Sequence, residues 1–273
     1  MTGINSMPIF HLRNRWVGHF KNGVEAYVNQ STQAANIGHI VGLGPLDTRN
    51  QVLAMNNICV IFDLDGTLVD SEGLCNQAFL ELLPQLNDSL EALTERYRGQ
   101  KLSSILIDLE NRLGLNLQDS FEQHYRQRVA ELFARDLKPM PGVLEMLATL
   151  NSPKCIASSG PLPKIRQALE VSGLAAYFAD NLFSSYDVGS WKPDPGLFQY
   201  VAHAMGFVPC QCVVIEDSEV GITAAIAAGM TPLCYVQTGV TNSYQAAGHV
   251  VFDDMSQLPQ LLEQFANTIQ FNR

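Results

Sequence analysis

Residues 58–71 read ICVIFDLDGTLVDS, and this stretch decides how the rest of the chain is interpreted. The apolar run over 58–62 is typical of a buried parallel strand, and it ends in two acids, Asp63 and Asp65. Residues two apart in a strand share one face, so these carboxylates repel unless a cation lies between them or one is protonated. A surface turn at Gly66 is the alternative, whereas a calcium loop needs a different spacing of acids, which is absent.

A second acid pair follows another apolar run, in VVIEDS at residues 213–218. Ligands of doubly wound α/β sheets bind beyond the carboxyl ends of the strands, so Glu216 and Asp217 are expected to lie near the first pair. Carboxylate oxygens are ligands that Mg²⁺ prefers. The two pairs together predict a magnesium site, although Glu216 and Asp217 by themselves equally suit the capping of a helix.

Two further motifs bring hydroxyl groups and a positive charge to the ends of predicted elements. Ser158 and Ser159 end an apolar run before a helix, where hydroxyls and a helix N-terminus suit a phosphate group. An ordinary N-cap is the alternative reading of these serines. Lys192 lies in GSWKPDP at residues 189–195, where prolines stiffen the loop. A lone lysine is usually a solvated surface residue, but the prolines are expected to hold this one as a cation near the acids.

Short apolar runs alternate with helical patterns from residue 58 onward. A glycine just past three of the helical patterns marks their ends. This alternation predicts an α/β fold, a doubly wound parallel sheet with a Rossmann-like core. The predicted strands are 58–62, 155–157, 213–215 and 232–236, and the predicted helices of the core are 164–171, 195–205, 221–228 and 258–265.

Residues 71–136 break this alternation, because they are rich in leucine and lack strand patterns. Helical spacing over 78–83, 90–97, 102–113 and 121–133 predicts an all-helical cap inserted into the core.

The core is then formed by residues 55–70 and 137–273, with a proline-stiffened linker at 137–142. Residues 1–54 show no sustained periodicity, so we expect a poorly ordered N-terminal extension. An upstream over-reading of the true start would explain such an extension.

Composition narrows the class of protein. The net charge of −10 does not suit a nucleic-acid binder, and no apolar run reaches the roughly 18 residues of a membrane helix. The N-terminus lacks a secretory pattern, and most of the six cysteines lie in apolar runs, which favours free thiols in a reducing cytoplasm. We therefore expect a cytoplasmic protein without nucleic-acid or membrane partners, either a monomer or a weak homo-oligomer.

The motifs D-x-D-G-T, serine, Lys-Pro and Glu-Asp, in this order over Ile58 to about Val236, resemble the haloacid dehalogenase-like superfamily of aspartyl-phosphate hydrolases. The resemblance implies that Asp63 attacks phosphorus and that Asp65 acts as general acid and then as general base. It also implies a Mg²⁺ cofactor, and a lysine that offsets negative charge. The residues implied to bind are Gly66, Thr67, Ser158, Ser159 and Lys192 for phosphate, and Asp63, Asp65, Glu216 and Asp217 for magnesium.

Within that superfamily the chain most resembles the β-phosphoglucomutase-like sugar phosphatases, and residues 182–195 resemble bacterial enzymes that act on 6-phosphogluconate. The cap is implied to select a small phosphorylated sugar or sugar acid, with Arg98 and Lys101 in its substrate-specificity loop. Asp65 favours a phosphatase over a dehalogenase, which has no alcohol leaving group to protonate. A mutase usually carries a histidine where this chain has Cys75, which weakens the case for a sugar-phosphate mutase but keeps it as an alternative. A non-catalytic regulatory protein on the same fold is the other alternative.

Overall fold

The structure is a computed structural model that describes residues 55, 57–237, 245 and 247–271, apart from the side chains of residues 270 and 271. The extension predicted over residues 1–54 lies outside the described residues. Within them, six parallel strands form one sheet in the order β3-β2-β1-β4-β5-β6. The strands are β1 (Cys59–Phe62), β2 (Lys154–Ser158), β3 (Leu182–Ser184), β4 (Cys212–Glu216), β5 (Thr231–Tyr235) and β6 (Val250–Phe252).

The strand β1 lies in the middle of the sheet and is buried along its whole length. Val60 and Phe62 face one hydrophobic cluster, whereas Cys59 and Ile61 face another on the opposite side. A strand covered on both faces is characteristic of a doubly wound sheet, and the predicted fold class is confirmed. The predicted strands correspond to β1, β2, β4 and β5, while β3 and β6, with three residues each, are too short to leave a pattern.

Four consecutive helices, here called the helical segment, separate β1 from the rest of the core. Phe79 stacks on Tyr125 with 4.2 Å between ring centroids and lies edge-on to Tyr97, so three of the helices share one aromatic cluster. The connections to the core, 68–70 and 138–140, run side by side through backbone hydrogen bonds of 2.9 and 3.0 Å. The helices are α1 (Glu72–Leu82), α2 (Leu90–Tyr97), α3 (Leu102–Leu113) and α4 (Phe121–Asp136).

Both faces of the sheet are covered by the helices that follow. One layer contains α5, α6, α7 and α11, which pack on the side of Val60 and Phe62, and the opposite layer contains α9 and α10. The short helices α5, α7 and α8 were not predicted, because they complete too few turns to establish a period. The bounds are α5 (Val143–Thr149), α6 (Leu162–Val171), α7 (Ala175–Phe178), α8 (Ser185–Val188), α9 (Gly196–Met205), α10 (Glu219–Ala227) and α11 (Leu258–Phe271).

All six cysteines have free thiols, and four of them are buried. Cys59, Cys155 and Cys212 lie on the adjacent strands β1, β2 and β4, where they contribute to the apolar core. In the described ranges, no helix is both long enough and apolar enough to cross a bilayer.

The packing of α3 predicts a large difference between two substitutions on the same helix. Leu109 is fully buried, whereas Ile107, two residues earlier, is 58% exposed. Leu109→Ala is expected to lower the free energy of unfolding by about 2–5 kcal/mol, because it leaves a cavity in the helical segment. Ile107→Ala is the matched control and should change it by less than about 0.5 kcal/mol. Urea unfolding followed by circular dichroism measures both, and equal midpoints for the two variants would contradict this packing.

Candidate active site

The acid motifs meet at the carboxyl edge of the sheet because β1 and β4 are paired in register. Phe62 is opposite Ile215, and the Asp63 N–H donates to the Ile215 carbonyl at 3.0 Å. The next residues of the two strands, Asp63 and Glu216, are therefore brought side by side. This is the edge at which doubly wound sheets bind their ligands.

A cavity of about 620 Å³ lies between this edge and the helical segment. The core contributes Asp63, Asp65 and Lys192 to its wall, and the helical segment contributes apolar side chains such as Phe79 and Val129. The size suits a small metabolite, because ligand sites are typically clefts of roughly 300–1,000 Å³.

Lys192 joins the two acid motifs. Its Nζ donates to Asp63 Oδ1 and to Glu216 Oε1, each at 2.5 Å, and only 3% of its side chain is exposed. Burial by itself would lower the pKa of Lys192, but the two carboxylates hold that pKa above its ordinary value. The residue is therefore a buried cation beside the acids.

Glu216 is held from its other side by the beginning of α10. Its Oε2 accepts hydrogen bonds from the Ser218 N–H at 2.9 Å and the Ser218 hydroxyl at 2.8 Å. The Ser218 hydroxyl in turn accepts from the Gly221 N–H and so caps the helix. Gly221 must lack a side chain, because a Cβ there would lie 1.8 Å from Glu216 Oε1.

Asp217 is held by the turn that follows β1. The Thr67 hydroxyl donates to Asp217 Oδ1 at 2.9 Å. Gly66 has a φ of +81°, and a Cβ there would lie 2.5 Å from Asp217 Oδ2. The glycine thus serves both the turn and the close approach of a carboxylate.

Oxygen atoms of Asp63, Glu216 and Asp217 all lie within 4.8 Å of one another, and the three residues are buried. Burial raises the pKa of Asp63 and of Asp217 well above the ordinary value, and neighbouring carboxylates add to this, while Lys192 opposes it at Asp63. Three carboxylates converge here, and one ammonium lies between two of them. Their negative charge therefore favours a further positive charge nearby. A hard divalent cation with oxygen ligands fits this donor set.

Asp65 has partners of its own, separate from this cluster. Its Oδ1 accepts from the Lys164 ammonium at 2.7 Å and from the Ser71 hydroxyl at 2.5 Å. Burial would raise the pKa of Asp65, but Lys164 and Ser71 hold it below its ordinary value. Neither Lys164 nor Ser71 was predicted to belong to the site. One signal for Lys164 was available: it lies in the first turn of α6, where the helix dipole disfavours a cation.

The hydroxyls that were predicted to hold phosphate occupy different positions. Ser159 lines the cavity together with Gly160. Ser158 is buried, and its Oγ accepts from the Gly160 N–H at 3.0 Å. Thr67 is also buried and directs its hydroxyl to Asp217. Contacts of these residues with phosphate stay a prediction.

The turn between α2 and α3 brings Arg98 and Lys101 against the core. The Arg98 guanidinium lies 3.9 Å from Asp217 Oδ2 and 3.7 Å from Glu72. Gly99, with a φ of +67°, packs on the start of α10, where a Cβ would lie 2.8 Å from that of Ser218. The turn therefore reaches the acid cluster itself.

The chain is similar in sequence to known proteins of the family that its motifs resemble. A family model described as haloacid dehalogenase-like hydrolase matches residues 59–229. The chain is 34% identical over 205 residues to the 6-phosphogluconate phosphatase of Escherichia coli K12, which covers 74% of this chain and 93% of that protein. It is 29% identical over 189 residues to the β-phosphoglucomutase of Bacillus subtilis, which covers 63% of this chain and 80% of that protein.

A solved structure shows the same architecture. The crystal structure of a conserved haloacid dehalogenase-like protein from Agrobacterium tumefaciens superposes with a TM-score of 0.66 at 32% identity. The match covers 76% of this chain and 98% of that one.

The contact between Gly221 and Glu216 predicts that one added methyl group damages the site. Gly221→Ala must displace the Glu216 carboxylate from Lys192, so we expect a loss of about 1–3 kcal/mol in the free energy of unfolding and a fall in kcat on the order of 100-fold. Gly73→Ala is the matched control, because Gly73 also lies in the first turn of a helix but has nothing within 4 Å of its Cβ position. It should leave kcat unchanged and stabilise the protein by up to about 1 kcal/mol. Similar kcat values for the two variants would show that Glu216 is not held as described.

Proposed function

The chain belongs to the haloacid dehalogenase-like hydrolase family, and we propose that it is a magnesium-dependent phosphatase of small phosphorylated sugars or sugar acids, 6-phosphogluconate among them. The observation that carries the proposal is the bridge from Lys192 to Asp63 and Glu216 at the floor of the cavity. A carboxylate attacking a phosphate is an anion attacking an anion, and it needs fixed positive charge close by. The bridge provides such a charge beside Asp63.

Asp63 is the nucleophile in this proposal. It attacks phosphorus, the bond from phosphorus to the ester oxygen breaks, and an aspartyl phosphate forms on Asp63. Lys192 is already hydrogen-bonded to Asp63 Oδ1, so it offsets charge as the phosphoryl group arrives. Water then attacks phosphorus and restores the free carboxylate.

Asp65 moves the protons. It gives a proton to the departing alcohol oxygen and later takes one from the attacking water. In the structure Lys164 and Ser71 favour its ionised form, which is the base. Negative charge on a bound phosphate would offset Lys164 and favour the protonated form, which is the acid.

Asp63, Glu216 and Asp217 are the residues that would hold Mg²⁺. The backbone carbonyl of Asp65 is proposed as a further ligand. When bound, the ion supplies positive charge to the phosphate oxygens and lowers the repulsion between phosphate and nucleophile. Thr67 and Gly66 keep Asp217 in place by a hydrogen bond and by the absence of a side chain.

The helical segment acts as the cap in this proposal, covering residues 71–136. It forms the far wall of the cavity, and its closure over the substrate would exclude bulk water while the phosphoryl group is transferred to Asp63. Arg98 and Lys101 are the cap residues proposed to select the substrate, because their turn reaches the acid cluster. Free thiols on all six cysteines suit a reducing cytoplasm.

A sugar-phosphate mutase is the second candidate, since a β-phosphoglucomutase is among the similar proteins. The position at which such mutases usually carry a histidine is taken by Cys75, which lines the cavity. Burial raises the pKa of this thiol, so it is a poor proton acceptor near neutral pH. With a hexose 1-phosphate, we therefore expect free phosphate as the product and not the isomeric hexose 6-phosphate.

The nucleophile assignment predicts the effect of removing one charge. Asp63→Asn should lower phosphate release from 6-phosphogluconate and hexose phosphates by at least about 1,000-fold, because an amide does not form the acyl phosphate. Asp70→Asn is the matched control, since Asp70 is exposed, lies on the same turn and does not line the cavity. Release by Asp63→Asn at the rate of the parent would overturn the assignment.

Metal dependence is tested by removal and return of the ion. Treatment with EDTA should abolish phosphate release, and added Mg²⁺ should restore it. Mg²⁺ should also raise the unfolding temperature of the free protein, because a ligand that binds only the folded state stabilises it. Asp217→Asn should lose most of this rise. Full activity in EDTA would contradict the proposed cofactor.

A further inference from the structure

Lys101 and Trp191 form a contact between the helical segment and the core. Lys101 belongs to the helical segment and lines the cavity, whereas Trp191 belongs to the core and directly precedes Lys192. The Lys101 ammonium lies 3.6 Å from the centroid of the Trp191 ring, within the range of a cation–π interaction. The ammonium has three donors, and one ring face does not use them all.

Lys101 differs from the other cations on the cavity wall in the partner it has. Lys164 pairs with Asp65, Lys192 pairs with Asp63 and Glu216, and Arg126 pairs with Glu122. Among the residues that the structure describes, no carboxylate oxygen lies within the 4.0 Å ion-pair distance of the Lys101 ammonium. Its positive charge faces the cavity without an acid to balance it.

Trp191 interacts with Lys101 through the face of its ring. Its indole N–H is buried and has no hydrogen-bond acceptor in the described part of the chain. A hydrogen bond from the indole therefore does not account for a tryptophan at this position. Tyr186 lies edge-on to it at 5.4 Å, and the Tyr186 hydroxyl accepts from Arg126 at 2.9 Å. Tyr186 and Trp191 thus form an aromatic shelf on the core that receives two cations of the helical segment.

We propose that Lys101 binds a second anionic group of the substrate, and that Trp191 is the positioning residue that holds Lys101 in place. The preferred substrates are then phosphate monoesters that also carry a carboxylate or a second phosphate. A neutral polyol would leave the lysine charge unbalanced in a partly desolvated cavity, whereas an anion balances it. Lys101 is also the N-cap residue of the 12-residue helix α3, so the helix dipole adds to its charge. This inference rests on the proposed phosphatase function and narrows its substrate class.

The test compares three substrates that share a primary phosphate ester. Two of them, a hexonic acid 6-phosphate and a hexose 1,6-bisphosphate, carry a second anionic group and are here called the anionic esters. The third is a hexose 6-phosphate, here called the neutral ester because its sugar is uncharged. The leaving alcohol is alike in the acid and the neutral ester, so their difference reports on the distal group. The wild-type protein should prefer an anionic ester by roughly 10- to 100-fold in kcat/KM, mainly through KM. Preference for the hexonic acid identifies a carboxylate, and preference for the bisphosphate identifies a second phosphate.

The variants separate a positioning role from a structural one. Lys101→Met should abolish the preference by lowering kcat/KM roughly 10- to 100-fold for the esters that carry a second anionic group. Trp191→Leu should reduce the preference by roughly 3- to 10-fold, and Trp191→Phe, which keeps a ring, should restore most of it. Because Trp191 adjoins Lys192, kcat for the neutral ester shows whether a substitution has disturbed the catalytic lysine.

Arg96→Met is the matched control for charge. Arg96 is half exposed, pairs with Asp108 at 3.7 Å and lies one turn before Lys101, outside the cavity wall. Its removal should leave the preference unchanged. Equal kcat/KM for neutral and anionic esters in the wild type, or an equal loss for both in Lys101→Met, would overturn this inference while the phosphatase function stands. Failure to hydrolyse any of the three esters would overturn the proposed function and this inference with it.

Discussion

Lys192 is the interaction on which the rest of the site depends, because it lies between two buried carboxylates that would otherwise repel each other. Asp63 and Glu216 are adjacent only because β1 and β4 pair in register at the centre of the sheet, with Phe62 opposite Ile215. The ammonium reaches both carboxylates from the loop before α9. Removing the cation would leave two uncompensated charges in the interior, a cost of several kcal/mol for a buried pair. Electrostatics and strand order therefore fix the site together.

The close packing around the carboxylates also requires glycine at three positions. Gly66 and Gly221 allow Asp217 and Glu216 to approach the backbone, and Gly99 allows the turn of the helical segment to reach the start of α10. Each of these glycines faces an atom nearer than 3.0 Å to its Cβ position. Because these glycines let the carboxylates lie close together, the site favours additional positive charge. A divalent cation provides it in the proposed mechanism.

The central sheet and its acid pairs follow from the sequence because their causes are local. An apolar run predicts a buried strand, and the ends of parallel strands meet at one edge, so Asp63, Glu216 and Asp217 could be placed together. The pairing of Asp65 with Lys164 could not be predicted, since Lys164 is 99 residues away in the chain and no periodicity links the two. The same holds for Lys101 on Trp191, because a cation–π contact between two turns has no sequence pattern.

The most direct test of the account is to trap the phosphoryl group on Asp63. Borohydride reduces an aspartyl phosphate to homoserine, so protein quenched with it during turnover of a sugar phosphate carries a permanent mark at the nucleophile. Peptide mapping by mass spectrometry should find homoserine at position 63 in the quenched protein, and aspartate there when substrate is omitted. Homoserine at another acidic position, or an unmodified Asp63 in protein quenched during rapid turnover, would contradict the account.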